Sequence, residues 1–128
     1  MSDHPRRAVI AVVDDDPGML ESIESLLTSA DYEVRRFPTA TALLESDGLA
    51  EIDCVISDVA MPLMDGFELA RALQEARPAL PVILVTGRPD LLHRLPPDRQ
   101  GHYRVFKKPF DGQELLTAVA RMLPSRTP

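Results

Sequence analysis

Cysteine is nearly absent from this sequence. Cys54 is the only one in 128 residues, so no intramolecular disulfide can form, which suits a reducing cytosol. It lies in the apolar run Cys54-Val55-Ile56, where it reads as a small buried hydrophobe and not a reactive thiol. Long hydrophobic runs are missing as well. The apolar stretch Ala8–Val13 is far too short for a signal-peptide core or a membrane span, so a soluble cytoplasmic protein without a membrane partner is expected. Positive charge is scarce: 14 Lys and Arg face 20 Asp and Glu, for a formal net charge of -6. Such a chain suits neither nucleic acid nor an anionic membrane as its main partner; a metal cation or a basic protein surface fits better. Internal repeats, low-complexity segments and a second domain are not visible.

What is present is enough for one domain. With 45% hydrophobic residues the chain can bury a sizeable core. The expected domain runs over 8–123, after a charged N-terminal tail, 1–7, and before a C-terminal tail or truncated linker, 124–128. Apolar runs alternate with segments of helical period. Ala8–Val13, Val34–Phe37, Asp53–Ser57, Pro81–Val85 and a weaker Arg104–Phe106 read as strands. The first, third and fourth are almost continuously apolar, as in a sheet covered on both faces. Between strands, Met19, Leu20, Ile23, Leu26 and Leu27 recur at helical spacing, as do Phe67, Leu69, Ala70 and Leu73, and later Leu115, Leu116, Val119, Ala120 and Leu123.

Helix starts are well marked. Asp16-Pro17 supplies an N-cap followed by proline at the first helical position. Thr39 can cap a short helix over Thr41–Glu45. Asp65…Glu68 and Asp111…Glu114 have capping-box spacing with aspartate in place of Ser or Thr. The result is a strand-helix unit repeated five times, which calls for a parallel sheet with helices on both faces. In the fourth helical place, Pro89, Pro96 and Pro97 punctuate the segment from Gly87 to Gly101, so that helix should be short or irregular.

In an open parallel sheet, ligands bind beyond the carboxyl ends of the strands. Those ends carry Asp14-Asp15-Asp16, Asp58, Thr86-Gly87 and Lys107-Lys108-Pro109. Clustered carboxylates raise one another's pKa unless a cation lies among them, and oxygen-only ligands of that charge suit Mg²⁺. A carboxylate beside the ion can attack a phosphoryl group, while lysine and metal offset the charge spread over the phosphoryl oxygens. A strand-end hydroxyl would hydrogen-bond one of them. Asp16 reads as the helix cap, Lys107 as solvated, and His4, His93 and His102 as surface residues. Met61 and Met64 read as loop packing beside the site.

The ordered set Val13-Asp14-Asp15-Asp16, Ser57-Asp58-Val59-Ala60-Met61-Pro62, Asp65-Gly66, Thr86-Gly87 and Lys108-Pro109-Phe110 resembles the receiver domain of two-component response regulators, with FixJ-like receivers the nearest flavour. It spans about Ala8 to Leu123. The resemblance implies a flavodoxin-like, doubly wound α/β fold with five parallel strands in the order 2-1-3-4-5. It implies Asp58 as phospho-acceptor and a Mg²⁺ (or Mn²⁺) site made by Asp15 directly, Asp14 through water, Asp58, and the backbone carbonyl of Ala60. Thr86, with Gly87, and Lys108 would contact the phosphoryl group, and the Lys108-Pro109 peptide would be cis. The implied partners are a sensor histidine kinase or phosphotransfer protein, and a downstream protein or missing output domain. The domain would catalyse its own phosphorylation and dephosphorylation without being a turnover enzyme.

Two departures from the family pattern stand out, the irregular segment from Gly87 to Gly101 and position 105. Val105 occupies the place of the usual switch aromatic, with Tyr103 and Phe106 as neighbours, so either a neighbour substitutes or the signal passes by backbone displacement. Arg88 follows Thr86 at a position that, with Ala60, modulates phosphoryl lifetime in the family. Three rivals remain. A Mg²⁺ hydrolase with an Asp58 nucleophile usually wants an acid where this chain has Ala60. A flavodoxin relative would need a glycine- and hydroxyl-rich loop where this chain has Asp14-Asp15-Asp16-Pro17. An unphosphorylated interaction module would not need the intact acids, Thr86 and Lys108.

Overall fold

A computed structural model describes residues 7–94 and 103–123. Five strands form one parallel sheet: β1 (Val9–Val13), β2 (Glu33–Phe37), β3 (Cys54–Asp58), β4 (Val82–Thr86) and β5 (Arg104–Lys107), in the order β2-β1-β3-β4-β5. This is the doubly wound arrangement, with the crossover between β1 and β3 at its centre. β1, β3 and β4 are buried along their whole length, which accounts for their unbroken apolar sequence. The edge strands β2 and β5 are mixed.

Four α-helices accompany the sheet: α1 (Pro17–Ser29), α2 (Ala40–Leu44), α3 (Gly66–Ala76) and α4 (Gly112–Met122). Asp16 caps α1 by accepting from the Gly18 N–H, and Thr39 caps α2 from the Ala42 N–H. At α3 both halves of the capping box form between Asp65 and Glu68. At α4 the Asp111 carboxylate accepts from Gln113 and Glu114 N–H groups without the reciprocal bond, a correction to the expected box. In the fourth helical place the described residues form a 3-10 helix, Pro89–Arg94. Pro96, Pro97 and Gly101 lie outside the described residues, as do His4, His102 and the segment 124–128.

Alternation along the strands divides the core in two. On one face Ile10, Val12, Ile56 and Ile83 pack with Leu20, Ile23 and Leu27 of α1 and Leu115 and Val119 of α4. On the other, Val9, Ala11, Val55 and Leu84 pack with Leu43 of α2 and Leu69 and Leu73 of α3. Cys54 is fully buried on the first face, and burial pushes its thiol up to about 12, as befits a packing residue. β3 and β4 each begin one residue later than the apolar pattern suggests and end one later. Asp53 turns its carboxylate to the Val9 N–H at 2.7 Å, and Pro81 has no N–H to give the ladder. Asp58 and Thr86 are therefore the last residues of their strands.

Candidate functional site

The carboxyl edge of the sheet collects nearly every buried polar residue described. Asp14, Ser57, Asp58, Asp65 and Thr86 are the buried polar or charged side chains, and each stands at or next to a strand end or at the start of α3. Asp14 follows β1; its backbone N–H donates to the Phe37 carbonyl at 3.2 Å, and its Oδ1 accepts the Asp16 N–H at 2.9 Å. Those two bonds aim the second oxygen, Oδ2, at Lys108. Lys108 follows β5, and its N–H donates to the Thr86 carbonyl at 2.8 Å. From there Nζ reaches 3.3 Å from both Asp14 Oδ2 and Asp58 Oδ1. The Lys108-Pro109 peptide is cis.

Carboxylate oxygens of Asp14, Asp15 and Asp58 lie within 4.8 Å of one another. Asp14 and Asp58 are buried while Asp15 is exposed. Burial, above all, holds the Asp14 carboxyl above its ordinary value, and the bonds from Asp16 and Lys108 only partly offset it. Burial also raises the Asp58 carboxyl, with the charge of Asp14 adding to it and Lys108 opposing. Lys108 moves up: burial pulls its ammonium down, but the charges of Asp58 and Asp14 outweigh that. One ammonium thus pairs with two of the three clustered carboxylates. An all-oxygen donor set with surplus negative charge fits a hard divalent cation, so the cluster can hold a metal ion.

Thr86 is fully buried, and its Oγ1 accepts the Arg88 N–H at 2.8 Å. Gly87 is exposed beside it. The Arg88 guanidinium pairs with Asp90 at 3.1 Å, so the acid it meets is Asp90 and not one of the cluster. Ala60, exposed, lines a shallow cleft with Leu63, Glu68, Arg88 and Leu91. Asp16 stays outside the cluster as the α1 cap, Lys107 and His93 are exposed, and Met61 and Met64 pack partly buried under the α2–α3 face.

Val105 and Tyr103 face the α2–α3 side, where the Tyr103 hydroxyl donates to Gln74 Oε1 at 3.3 Å. Phe106 faces the other side, edge-on to Phe110 at 6.5 Å and beneath the Arg104 guanidinium. Of the two aromatic neighbours, only Tyr103 shares the face of Val105, which period-two alternation alone could have told. The motif reading assigned no role to Ser57 or Gly66. A serine closing an otherwise apolar strand was the available signal. The 97% exposure of Leu63, held at φ 69°, had no local signal at all.

A family model described as response regulator receiver domain matches residues 10–120. Response regulator protein TmoT of Ectopseudomonas mendocina is 36% identical over 118 residues, which cover 92% of this chain and 54% of the relative. This chain thus spans about half the length of that curated relative. Among solved structures, the signal receiver domain of an HD domain-containing protein from Pseudomonas fluorescens Pf-5 superimposes with a TM-score of 0.81 at 35% identity, covering 91% of this chain and 94% of that one. Response regulator protein TrrA from Thermotoga maritima, in complex with Mg²⁺ and a beryllium fluoride, gives 0.81 at 26% identity, covering 91% and 99%.

Proposed function

The chain belongs to the response regulator receiver domain family, and on that premise we propose that Asp58 accepts a phosphoryl group from a phosphohistidine donor and that the added charge switches the conformation. The observation that carries this reading is the double pairing of Lys108, 3.3 Å from both Asp14 and Asp58, beside three carboxylates close enough to share one cation.

The Asp58 carboxylate attacks phosphorus as the bond from phosphorus to the donor imidazole breaks; the imidazole leaves and an acyl phosphate forms. Lys108 exchanges its contact with Asp58 for the incoming phosphoryl oxygens and keeps Asp14 as its anchor. Thr86 Oγ1, now accepting from the Arg88 N–H, has a proton of its own to donate to a phosphoryl oxygen. Gly87, beside it, leaves the approach free of a side chain. Asp14, Asp15, Asp58 and the Ala60 carbonyl would hold Mg²⁺ or Mn²⁺. The ion supplies positive charge against the carboxylates and against the charge that develops on the phosphoryl oxygens.

Arg88 and Val105 modulate this cycle, Arg88 by leaving Asp90 for the site and Val105 by leaving the readout to Tyr103. The domain turns over no outside substrate. Its donor is a sensor histidine kinase or phosphotransfer protein, its output a downstream protein or a further domain, and its place the cytoplasm. No described helix is long and apolar enough to cross a membrane.

The test is intact mass after incubation with acetyl phosphate and Mg²⁺. Gain of one phosphoryl group is expected in the wild type and in neither Asp58→Ala nor an EDTA-treated sample. A wild type that binds Mg²⁺ yet gains no phosphoryl group, or an Asp58→Ala variant that still gains one, would overturn the reading.

A further inference from the structure

The backbone at Asp58 is held from several directions. The fully buried Ser57 hydroxyl donates to the Asp58 carbonyl at 2.9 Å. The Val59 N–H donates to the Val85 carbonyl at 3.0 Å, and the Val59 carbonyl accepts the Gly66 N–H at 2.9 Å. These bonds bring the first turn of α3 so near the strand end that a Cβ on Gly66 would stand 2.5 Å from the Asp58 carbonyl oxygen and 2.8 Å from Val59 Cα. Both are backbone atoms, so no flexible side chain can yield; the end of β3 or the start of α3 would have to move. No described glycine has positive φ. Space, and not a left-handed conformation, therefore demands glycine at 66.

Ser57 presents a similar question. Its side of β3 is the α2–α3 face, where Val55 and Val59 are buried among Leu69 and Ala70. A small apolar residue would fill that place, so packing does not call for a hydroxyl. The bond it makes joins no distant element and ends on the carbonyl of the next residue, so it acts directly on the Asp58 peptide.

The geometry points to Ser57 and Gly66 as positioning residues for the phospho-acceptor: a buried hydroxyl and an absent side chain jointly set the Asp58 carbonyl, and through it the aim of the Asp58 carboxylate. The assignment rests on the reading of Asp58 as the acceptor. Bond formation to phosphorus needs the carboxylate oxygen in line, and a misplacement of about 1 Å can cost roughly a hundredfold in rate. The same displacement shifts the chain leading to Ala60, so cation binding reports it independently of phosphorylation.

The experiment compares wild type, Ser57→Ala, Ser57→Thr and Gly66→Ala. Phosphoryl gain is followed by intact mass against acetyl phosphate concentration at saturating Mg²⁺. Mg²⁺ affinity is taken by calorimetry and the folded fraction by circular dichroism. Ser57→Ala should stay folded and lose about tenfold in maximal rate at an unchanged half-saturating donor concentration, with Mg²⁺ affinity weakened about threefold. Ser57→Thr, which keeps the hydroxyl, should recover most of both. Gly66→Ala should lose about a hundredfold where it folds; if it does not fold, the Ser57 pair decides. A folded Ser57→Ala with wild-type rate and Mg²⁺ affinity overturns the inference. So does a rate loss that only tracks the unfolded fraction, or a Ser57→Thr no better than Ser57→Ala. A wild type that gains no phosphoryl group overturns the acceptor reading itself and the inference with it.

Discussion

The two faces of the sheet bury different things. Toward α1 and α4 the strands bury apolar side chains, among them Ile10, Val12, Ile56, Ile83, Val85 and Phe106, with charged groups only at the strand end (Asp58) and on the edge strands (Arg36 and Arg104). Toward α2 and α3 they also present valines and leucines, but β3 and β4 close on that side with the hydroxyls of Ser57 and Thr86, both fully buried. The covers differ as well. Helices of 13 and 11 residues lie over the first face; the second is covered by the 11-residue α3, the five-residue α2 and the 3-10 helix that carries Leu91. A face covered only by long helices opens with the whole domain, whereas one covered in part by short elements with local polar contacts opens there at lower cost. Conformational response is therefore expected first on the second face, at α2 and the 3-10 helix, the side Thr86 belongs to.

The sharpest way to break this contrast is to cut one leucine from the first cover and one from the short part of the second. Leu27→Ala, fully buried on α1, should cost about 2–5 kcal/mol in urea unfolding. Leu91→Ala, half-buried on the 3-10 helix, should cost about 1 kcal/mol. Equal losses would mean that the second face is as tightly held as the first. The start of α3 tests the same face at its best-built point: Asp65→Ala removes the capping box and should cost about 1 kcal/mol by the same measurement.

Where the faces meet at the carboxyl edge, charge should work against the fold. Asp14 and Asp58 both have carboxyls held above the ordinary value of 3.8, chiefly by burial. Between that value and the raised ones, the folded state binds more protons than the unfolded state. Metal-free stability is thus greatest on the acid side and declines as pH rises from about 4 through the raised values. Denaturation midpoints measured with EDTA from pH 4 to 7 should show this decline, and Mg²⁺ should reverse it. Asp58→Asn removes one of the crowded charges. It should gain about 1 kcal/mol at pH 7 without metal and flatten the pH slope; a loss instead would mean that the pairing with Lys108 outweighs the cost of burial. The smallest effect belongs to Arg88→Ala. Its pair with Asp90 is exposed, so stability should not change measurably while the lifetime of the phosphoryl group, followed by intact mass over time, changes.

Much of this protein was legible in the chain because the signals were local. Apolar runs located all five strands to within a residue or so, and Asp16, Thr39 and Asp65 marked helix starts that the structure confirms. The order of polar residues at the strand ends named the chemistry of the edge before any geometry was known. Less was legible where neighbours in space are distant in sequence. Lys108 and Asp14 meet across 94 positions, and no local pattern shows that Lys108 touches both acids. The adjacent Asp14 and Asp15 read alike, yet one is buried and the other exposed. The demand for glycine at 66 arises from the backbone of Asp58 and Val59, and the exposure of Leu63 from the path of its loop. The sequence by itself determined the alternation of elements, their caps and the oxygen-rich donor set, since periodicity and capping act within a few residues. Only the tertiary structure decided which carboxylates lose water, that Lys108 pairs with two of them at once and which backbone atoms crowd Asp58, because desolvation, Coulomb attraction and steric contact depend on distance in space and not along the chain.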